Sequence, residues 1–358
     1  MMKHILVLAL IGFLCMAEEI RFDEFIDDLA EYTQEVDRNY QLRTEETRCG
    51  DFTELVGKDW QSRTFKIVNR IDKGKAIVTV IQDSAGPLYC VKQIRLDAQP
   101  KRSFQSYLMG HVRDVVASYV FESMNIRVNK VRIIPPNVPF VGKYYQDRIA
   151  TLHTFALGSN EAHDFPFSLH LEQYLKSRKF VRDRGLTLQV IDDMSQHEDL
   201  PPIVAGDTFT SNPDRSRNNL FWDARTERWT GIDVELAFKL PMARNLSEIA
   251  CYQIEKFLKT PGFSMSKKTY RGLEHYNAVL HGLIENNNPN DTCQLLKNVA
   301  TYAHVIFVRR GNLIDSDHSF EEYCAKINAQ YNSSKKLVRL IDRLLQSLHY
   351  LKRRTRYH

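Results

Sequence analysis

AGDTFTSNPDRSRNNLFWDARTERWTGIDVELAF, residues 205–238, decides how this chain is read. Leu220 to Trp222 is one apolar run and Trp229 to Ile232 is another. The polar stretch Asp223 to Arg228 between them has the composition of a β-hairpin loop. Antiparallel pairing of the two runs brings Asn219, just before the first, beside Asp233, just after the second. Asp214 then lies one loop away. Two adjacent oxygen ligands suit a hard cation such as Mg²⁺, and a neighbouring carboxylate can orient a hydroxyl for attack on a phosphate. The spacing therefore points to phosphoryl transfer; the plainer alternative is a polar surface hairpin with charged turns.

In protein kinases a base Asp precedes a metal-binding Asn by five residues, and a second metal-binding Asp follows a hairpin. Asp214 and Asn219 have that offset. The His-Arg that normally precedes the base and the Phe-Gly that follows the second Asp are both missing. In their place stand Asn212-Pro213-Asp214-Arg215, Asn218-Asn219-Leu220, Ile232-Asp233 and Ala237-Phe238. This pattern resembles the atypical kinases: phosphatidylinositol 4-kinases, HipA-type toxin kinases and, more loosely, secretory-pathway kinases. Asp207 also fits, because an Asp commonly opens this segment in those families. The resemblance covers about 35 residues and implies an α+β, bilobal, protein-kinase-like fold of the atypical type. It implies ATP and Mg²⁺ as cofactors, with Asp214 as catalytic base and Asn219 and Asp233 as metal ligands.

Upstream, the periodicity is that of strands. Phe65–Val68, Ala76–Ile81 and Leu88–Ile94 alternate with Asp72-Lys73-Gly74-Lys75 and with Asp83 to Pro87, both rich in turn formers. A three-strand antiparallel meander is how a kinase small lobe begins. In Tyr89-Cys90-Val91-Lys92-Gln93-Ile94, Lys92 matches the strand lysine that reaches the ATP phosphates; a solvent-facing Lys is the alternative. Gly74 marks the first hairpin, without a Gly-x-Gly-x-x-Gly cover over the phosphates. His111 to Met124 has helical spacing, and Asp114 and Glu122 are its two candidates to pair with Lys92. The run Arg113 to Tyr119 resembles a helix of phosphatidylinositol 4-kinase-like proteins, which favours Asp114. After a break at Pro135 to Pro139, Ile149 to Leu157 is extended and is expected to form the lobe junction and adenine edge.

Helical patterns are expected over Glu18–Tyr40, Leu169–Phe180, Leu246–Leu258, Lys267–Ile284, Thr292–Val308 and Phe320–Leu351, the last with room for a break near Tyr331. The expected divisions are a signal peptide (1–17), an N-terminal helical extension (18–60), a small lobe (61–148), a mainly helical large lobe (149–334) and a basic amphipathic helix (335–358). That last segment carries eight Lys/Arg against one Asp, in a chain whose formal net charge is +5. Basic character is thus a property of the tail. Its leucine stripe is expected to dock on the large lobe; the functional alternative is attachment to an anionic membrane or a phosphorylated partner.

Lys3 and His4 precede an apolar run, Ile5 to Leu14, that is too short to span a bilayer comfortably. Export through a cleaved signal peptide is expected, into a secretory lumen or a host cell. Five cysteines remain after residue 17, an odd number that leaves at least one free thiol or an intermolecular bridge. Nucleophile elbows, zinc-protease helices, P-loops and dinucleotide fingerprints are absent from the sequence. Aromatic residues are not interleaved with bases, so no nucleic-acid platform is indicated. The expected activity is transfer of the ATP γ-phosphate to a hydroxyl of a protein or phosphoinositide-like lipid. Transfer of AMP, or a nucleotide-binding pseudokinase scaffold, are the alternatives.

Overall fold

The structure, a computed structural model, describes residues 49–73, 76–94, 104–135, 138, 150–156, 188–194, 196–238, 246–307 and 316–354. The expected signal peptide, the Glu18–Tyr40 and Leu169–Phe180 helices, and Gly74 lie outside them.

After a one-turn helix α1 (Thr53–Val56), strands β1 (Phe65–Lys73), β2 (Ala76–Asp83) and β3 (Leu88–Ile94) form the expected meander. Helix α2 (Phe104–Glu122) follows, then β4 (Val131–Ile134) and β5 (Ala150–Thr154). All neighbours in the sheet are antiparallel, in the order β1-β2-β3-β5-β4. Strand β5, taken from sequence as the start of the large lobe, is thus a full member of the small-lobe sheet. Its Thr151 lies opposite Lys92. At the far edge, the amide of Phe52 donates to the carbonyl of Ile133 (3.0 Å) and that of Ile133 to Gly50 (2.7 Å), so the α1 segment covers β4. A small apolar cluster of Phe52, Val56, Ile81, Tyr89, Val91, Ile134, Val138, Ala150 and Leu152 fills this lobe.

Helix α2 does not have the single apolar face its sequence pattern suggests. Leu108, Met109, Val112, Val115, Val116, Val120 and Phe121 are buried, but so are His111, Arg113, Asp114 and Ser118. A helix buried on all sides packs between layers rather than on one, and α2 belongs to the core of the helical lobe.

That lobe comprises α3 (Leu188–Met194), α4 (Leu200–Thr210), the hairpin β6 (Leu220–Asp223) and β7 (Arg228–Gly231), α5 (Leu246–Leu258), α6 (Lys267–Asn286), α7 (Pro289–Phe307) and α8 (Ser316–Arg354). Every residue of α4 except Pro202 is buried. Gly206 is required there, since a Cβ would sit 2.3 Å from the Phe121 ring of α2.

Helix α8 runs unbroken for 39 residues, through Tyr331 and across the expected boundary at 334/335. Leu337, Leu340, Ile341 and Leu344 are fully buried, while Arg339 and Arg343 face solvent. Between Leu337 and Leu344 the apolar stripe therefore packs on the protein core. No helix among the described residues is long and apolar enough to cross a membrane. Cys293 and Cys324 form a disulfide joining α7 to α8, and Cys49, Cys90 and Cys251 are free thiols.

Candidate functional site

The hairpin forms as its sequence suggests, with Leu220 opposite Gly231 and Trp222 opposite Trp229. At its open end the Ile232 amide donates to the Asn219 carbonyl at 3.0 Å, placing Asn219 and Asp233 side by side. The preceding loop is fixed by one side chain. The Arg215 guanidinium grips both oxygens of Asp207 (2.8 and 2.9 Å) and also donates to the carbonyls of Asn219 (2.7 Å) and Ile232 (2.8 Å). Gly231 makes room for it, because a Cβ there would meet the guanidinium at 3.1 Å. Arg215 and Asp207 are both buried, and a charge pair this deep is sustained only by full bidentate geometry. Asn212 Nδ2 completes the set by donating to Asp207 (2.8 Å).

Within this frame, Asn219 Nδ2 donates to the carbonyl of Asp214 at 2.6 Å. The Asp214 amide is received by Asn212 Oδ1 (3.3 Å), and its side chain is partly exposed. Asp233 adopts a left-handed backbone (φ 57°), a conformation Asp tolerates better than most residues. Burial alone would push its carboxyl up. The adjoining Lys92 ammonium, helped by Arg215, outweighs that and holds it below the usual carboxylate range.

Lys92 crosses from β3 to meet this end of the hairpin. Its Nζ lies 2.9 Å from Asp233 Oδ1 and 3.1 Å from Glu235 Oε2. Burial would lower its pKa, but Asp233, Glu235 and Asp114 raise it well above the ordinary lysine value. Lys92 and Asp114 are not in direct contact, and among the described residues Lys92 bonds only to the two hairpin-side carboxylates. Asp114 is wholly buried, and neither of its oxygens has a well-formed hydrogen bond among the described residues. Its carboxyl is pushed up to about 7. Burial is the main cause; Lys92 opposes it, Asp233 and Glu235 add to it, and the Val234 amide lowers it least. Glu122, the other candidate, pairs instead with Arg132 (3.0 Å).

Glu235 and Arg113 were not singled out from sequence. Glu235 lies two residues beyond Asp233, and that offset was the available signal. Arg113 donates to the Glu235 carbonyl (3.2 and 3.3 Å) and to the Tyr323 hydroxyl of α8 (2.8 Å), tying the Asp233–Glu235 segment to two helices. Behind Lys92, Thr151 bridges His153 (2.9 Å) and His111 (3.4 Å), and Asn129 holds the far nitrogen of His153 (2.7 Å). Burial, reinforced by the Lys92 charge, lowers both imidazoles to about 3 and keeps them neutral.

Two oxygens here are of the type a hard cation such as Mg²⁺ takes, while no cluster of three or more His, Cys, Asp or Glu side chains converges among the described residues. Asp233 Oδ2 and Asn219 Oδ1 have no hydrogen-bond partner among the described residues, and both are hard oxygens on the same end of one hairpin.

A five-strand antiparallel sheet carrying the lysine, an intervening helix, and a helical lobe presenting the Asp-Asn loop and Asp hairpin make a kinase-like bilobal fold. Neither a protein-family model nor a curated protein matches the chain. Solved structures similar to it include a Helicobacter pylori proinflammatory kinase (12% identity, TM-score 0.45), over 80% of this chain and 96% of that one. A Plasmodium vivax ethanolamine kinase (12%, TM-score 0.26) aligns over 78% and 85%. An aminoglycoside phosphotransferase from Alicyclobacillus acidocaldarius (11%, TM-score 0.23) aligns over 79% and 93%.

Proposed function

We propose that the protein is an ATP-dependent phosphotransferase acting on a hydroxyl, with a protein as the acceptor. The carrying observation is the convergence of Lys92 on Asp233 beside Asn219, across from Asp214, on a loop that Arg215 holds rigid. Lys92 is placed to bind nucleotide phosphates, leaving the carboxylates it occupies here. Asp214 orients the acceptor hydroxyl and receives its proton. Asn219 and Asp233, with Glu235 alongside, would hold Mg²⁺, which would supply neutralisation of the negative charge of the phosphates. Asp114 acts on Lys92 through its field rather than by contact. A disulfide accords with the export suggested by the N-terminal sequence, since such bonds persist in oxidising compartments.

Intact-mass spectrometry of the protein and a general protein acceptor after incubation with Mg-ATP tests this. A gain of phosphate supports it; a gain of AMP replaces it with nucleotidyl transfer. No change, together with a nucleotide-induced thermal shift, replaces it with a pseudokinase.

A further inference from the structure

We propose that a basic cavity between the α3–α4 turn and the first half of α6 docks an acidic peptide segment of the acceptor protein. The identity of the partner as acceptor rests on the phosphoryl-transfer reading; the binding chemistry does not. The cavity has a volume of about 560 Å³ and is lined by Lys267, Lys268, Arg271 and His275 on one side and by His197 and Glu198 on the other. Lys268, Arg271 and His275 recur at helical spacing, so they form one stripe along α6, about 10 Å long. Lys267, Lys268 and Arg271 are exposed and have no carboxylate partner among the described residues.

Two of the acids nearby are already engaged, and exposed Glu274, one turn beyond Arg271 on α6, does not line the cavity. Glu198 reaches Arg228 at 4.0 Å, and Asp192 accepts from the hydroxyls of Ser266 (3.1 Å) and Thr269 (2.6 Å) at the start of α6. The surplus of positive charge is therefore available to an incoming ligand. Its distribution says which kind. Two lysines are point charges rather than forks that clamp a single phosphate, and the cations are strung along the helix rather than converging. An extended chain rises about 3.3 Å per residue, so such a stripe spans roughly three residues of a carboxylate-bearing peptide. The volume also leaves room for its side chains.

The position suits docking. His197 stands edge-on against Trp222 (6.3 Å) and Trp229 (5.8 Å), the cross-strand pair of the catalytic hairpin. Asp199 grips Arg228 and accepts from the Trp229 amide (2.8 Å). One wall of the cavity thus continues into the hairpin. Trp222 lies three residues along β6 from Asn219, about 10 Å. A peptide held here is close enough for a hydroxyl several residues away to reach Asp214.

Fluorescence anisotropy of a labelled hexaglutamate peptide titrated with the full chain at low salt tests the proposal. Wild type is expected to bind, and Lys268→Glu/Arg271→Glu to weaken binding by at least about tenfold. Both positions are exposed, so circular dichroism should not change. Arg339→Glu/Arg343→Glu makes the same charge change on α8 and should leave affinity unaltered. Asp233→Asn, expected to abolish turnover, should also keep peptide affinity, so a failed docking site and a failed phosphotransferase are read separately. Absence of binding by wild type, an equal loss in the α8 variant, or displacement of the peptide by inorganic phosphate at constant ionic strength would overturn the proposal.

Discussion

On the helical side of the cleft, Asp207, Asn212, Arg215 and Asn219 satisfy one another through short, buried hydrogen bonds. On the sheet side, Asp114, His111 and Gln93 bury polar atoms that have no partner among the described residues. The first arrangement fixes a loop in one geometry, which is what positioning a base and two metal ligands requires. The second carries a standing penalty, because a buried polar atom left unmade costs about 1–3 kcal/mol. His111 and His153 limit that penalty by staying neutral and Asp114 by taking up a proton below about pH 7, and Lys92 reaches out of their surroundings to the carboxylates of the opposite wall. One wall is preorganised by pairing; the other is kept adjustable by proton uptake. Charge inside the cleft is thereby concentrated where a nucleotide's phosphates and a cation would meet it.

The largest effect expected of this division is catalytic. Asp214→Ala leaves the Arg215 network whole, since Asp214 contributes its backbone carbonyl to Asn219. Turnover of radiolabelled ATP should fall by about 10²–10⁴-fold, as for loss of a general base, while the Mg-ATP thermal shift persists. Normal turnover would place the base elsewhere. Next is Arg215→Ala, which strands the Asp207 carboxylate in the core. Breaking a buried pair costs about 3–5 kcal/mol, so urea denaturation should show a loss of that size. Arg215→Lys should restore little of it, because an ammonium cannot reproduce the fork. A loss under about 1 kcal/mol, the scale of an exposed pair, would mean that the helical wall is not rigid.

The same division explains what could be read from the sequence. The hairpin, the loop spacing and the strand meander are local: turn composition and period-2 alternation specify them within a few residues. Asn219, Asp233 and Lys92 were accordingly legible as a set. Lys92 was assigned a partner on the following helix by resemblance. Its actual partners, Asp233 and Glu235, stand 141 and 143 residues away, and no local pattern encodes a contact of that separation. Asp114 is one methylene shorter than a Glu, and it lies in a helix buried all round. The apolar count of α2 resembled that of a surface helix because His111, Arg113 and Asp114 supplied the apparent polar face. The break expected near Tyr331 failed for a similar reason. Tyr331, Asn332 and Ser333 have modest helix propensity, but buried Gln330 and Ser334 anchor α8 on either side of them.

Lys92→Ala removes the link between the walls. Asp233 and Glu235 are about one-third exposed, so water screens much of the lost pairing and stability should fall by only about 1 kcal/mol. Nucleotide affinity and turnover should decline together, because the missing contact is to phosphates. Unchanged steady-state constants would make Lys92 a structural strap and leave the sheet side without a role in the site.

Asp114→Asn gives the most direct test of the adjustable wall. Burial lifts the Asp114 carboxyl to about 7 in the folded protein, against about 3.9 in an unfolded chain. Between those values the folded state holds a proton that the unfolded state has released. Stability from this group is therefore full below about pH 4, lost as pH rises towards 7, and flat above. Asn is close in shape and does not titrate. The melting temperature of Asp114→Asn relative to wild type should rise between pH 5 and pH 8, by about 1–2 °C for each kcal/mol involved. A difference independent of pH would mean that the carboxylate is ionised throughout and well paired, making the sheet side as fully satisfied as the loop opposite. Lys92→Ala, made with and without Asp114→Asn, sharpens the result. With the neighbouring cation gone, the Asp114 carboxyl should shift further up, and the pH dependence of the wild-type Asp should extend to a higher range.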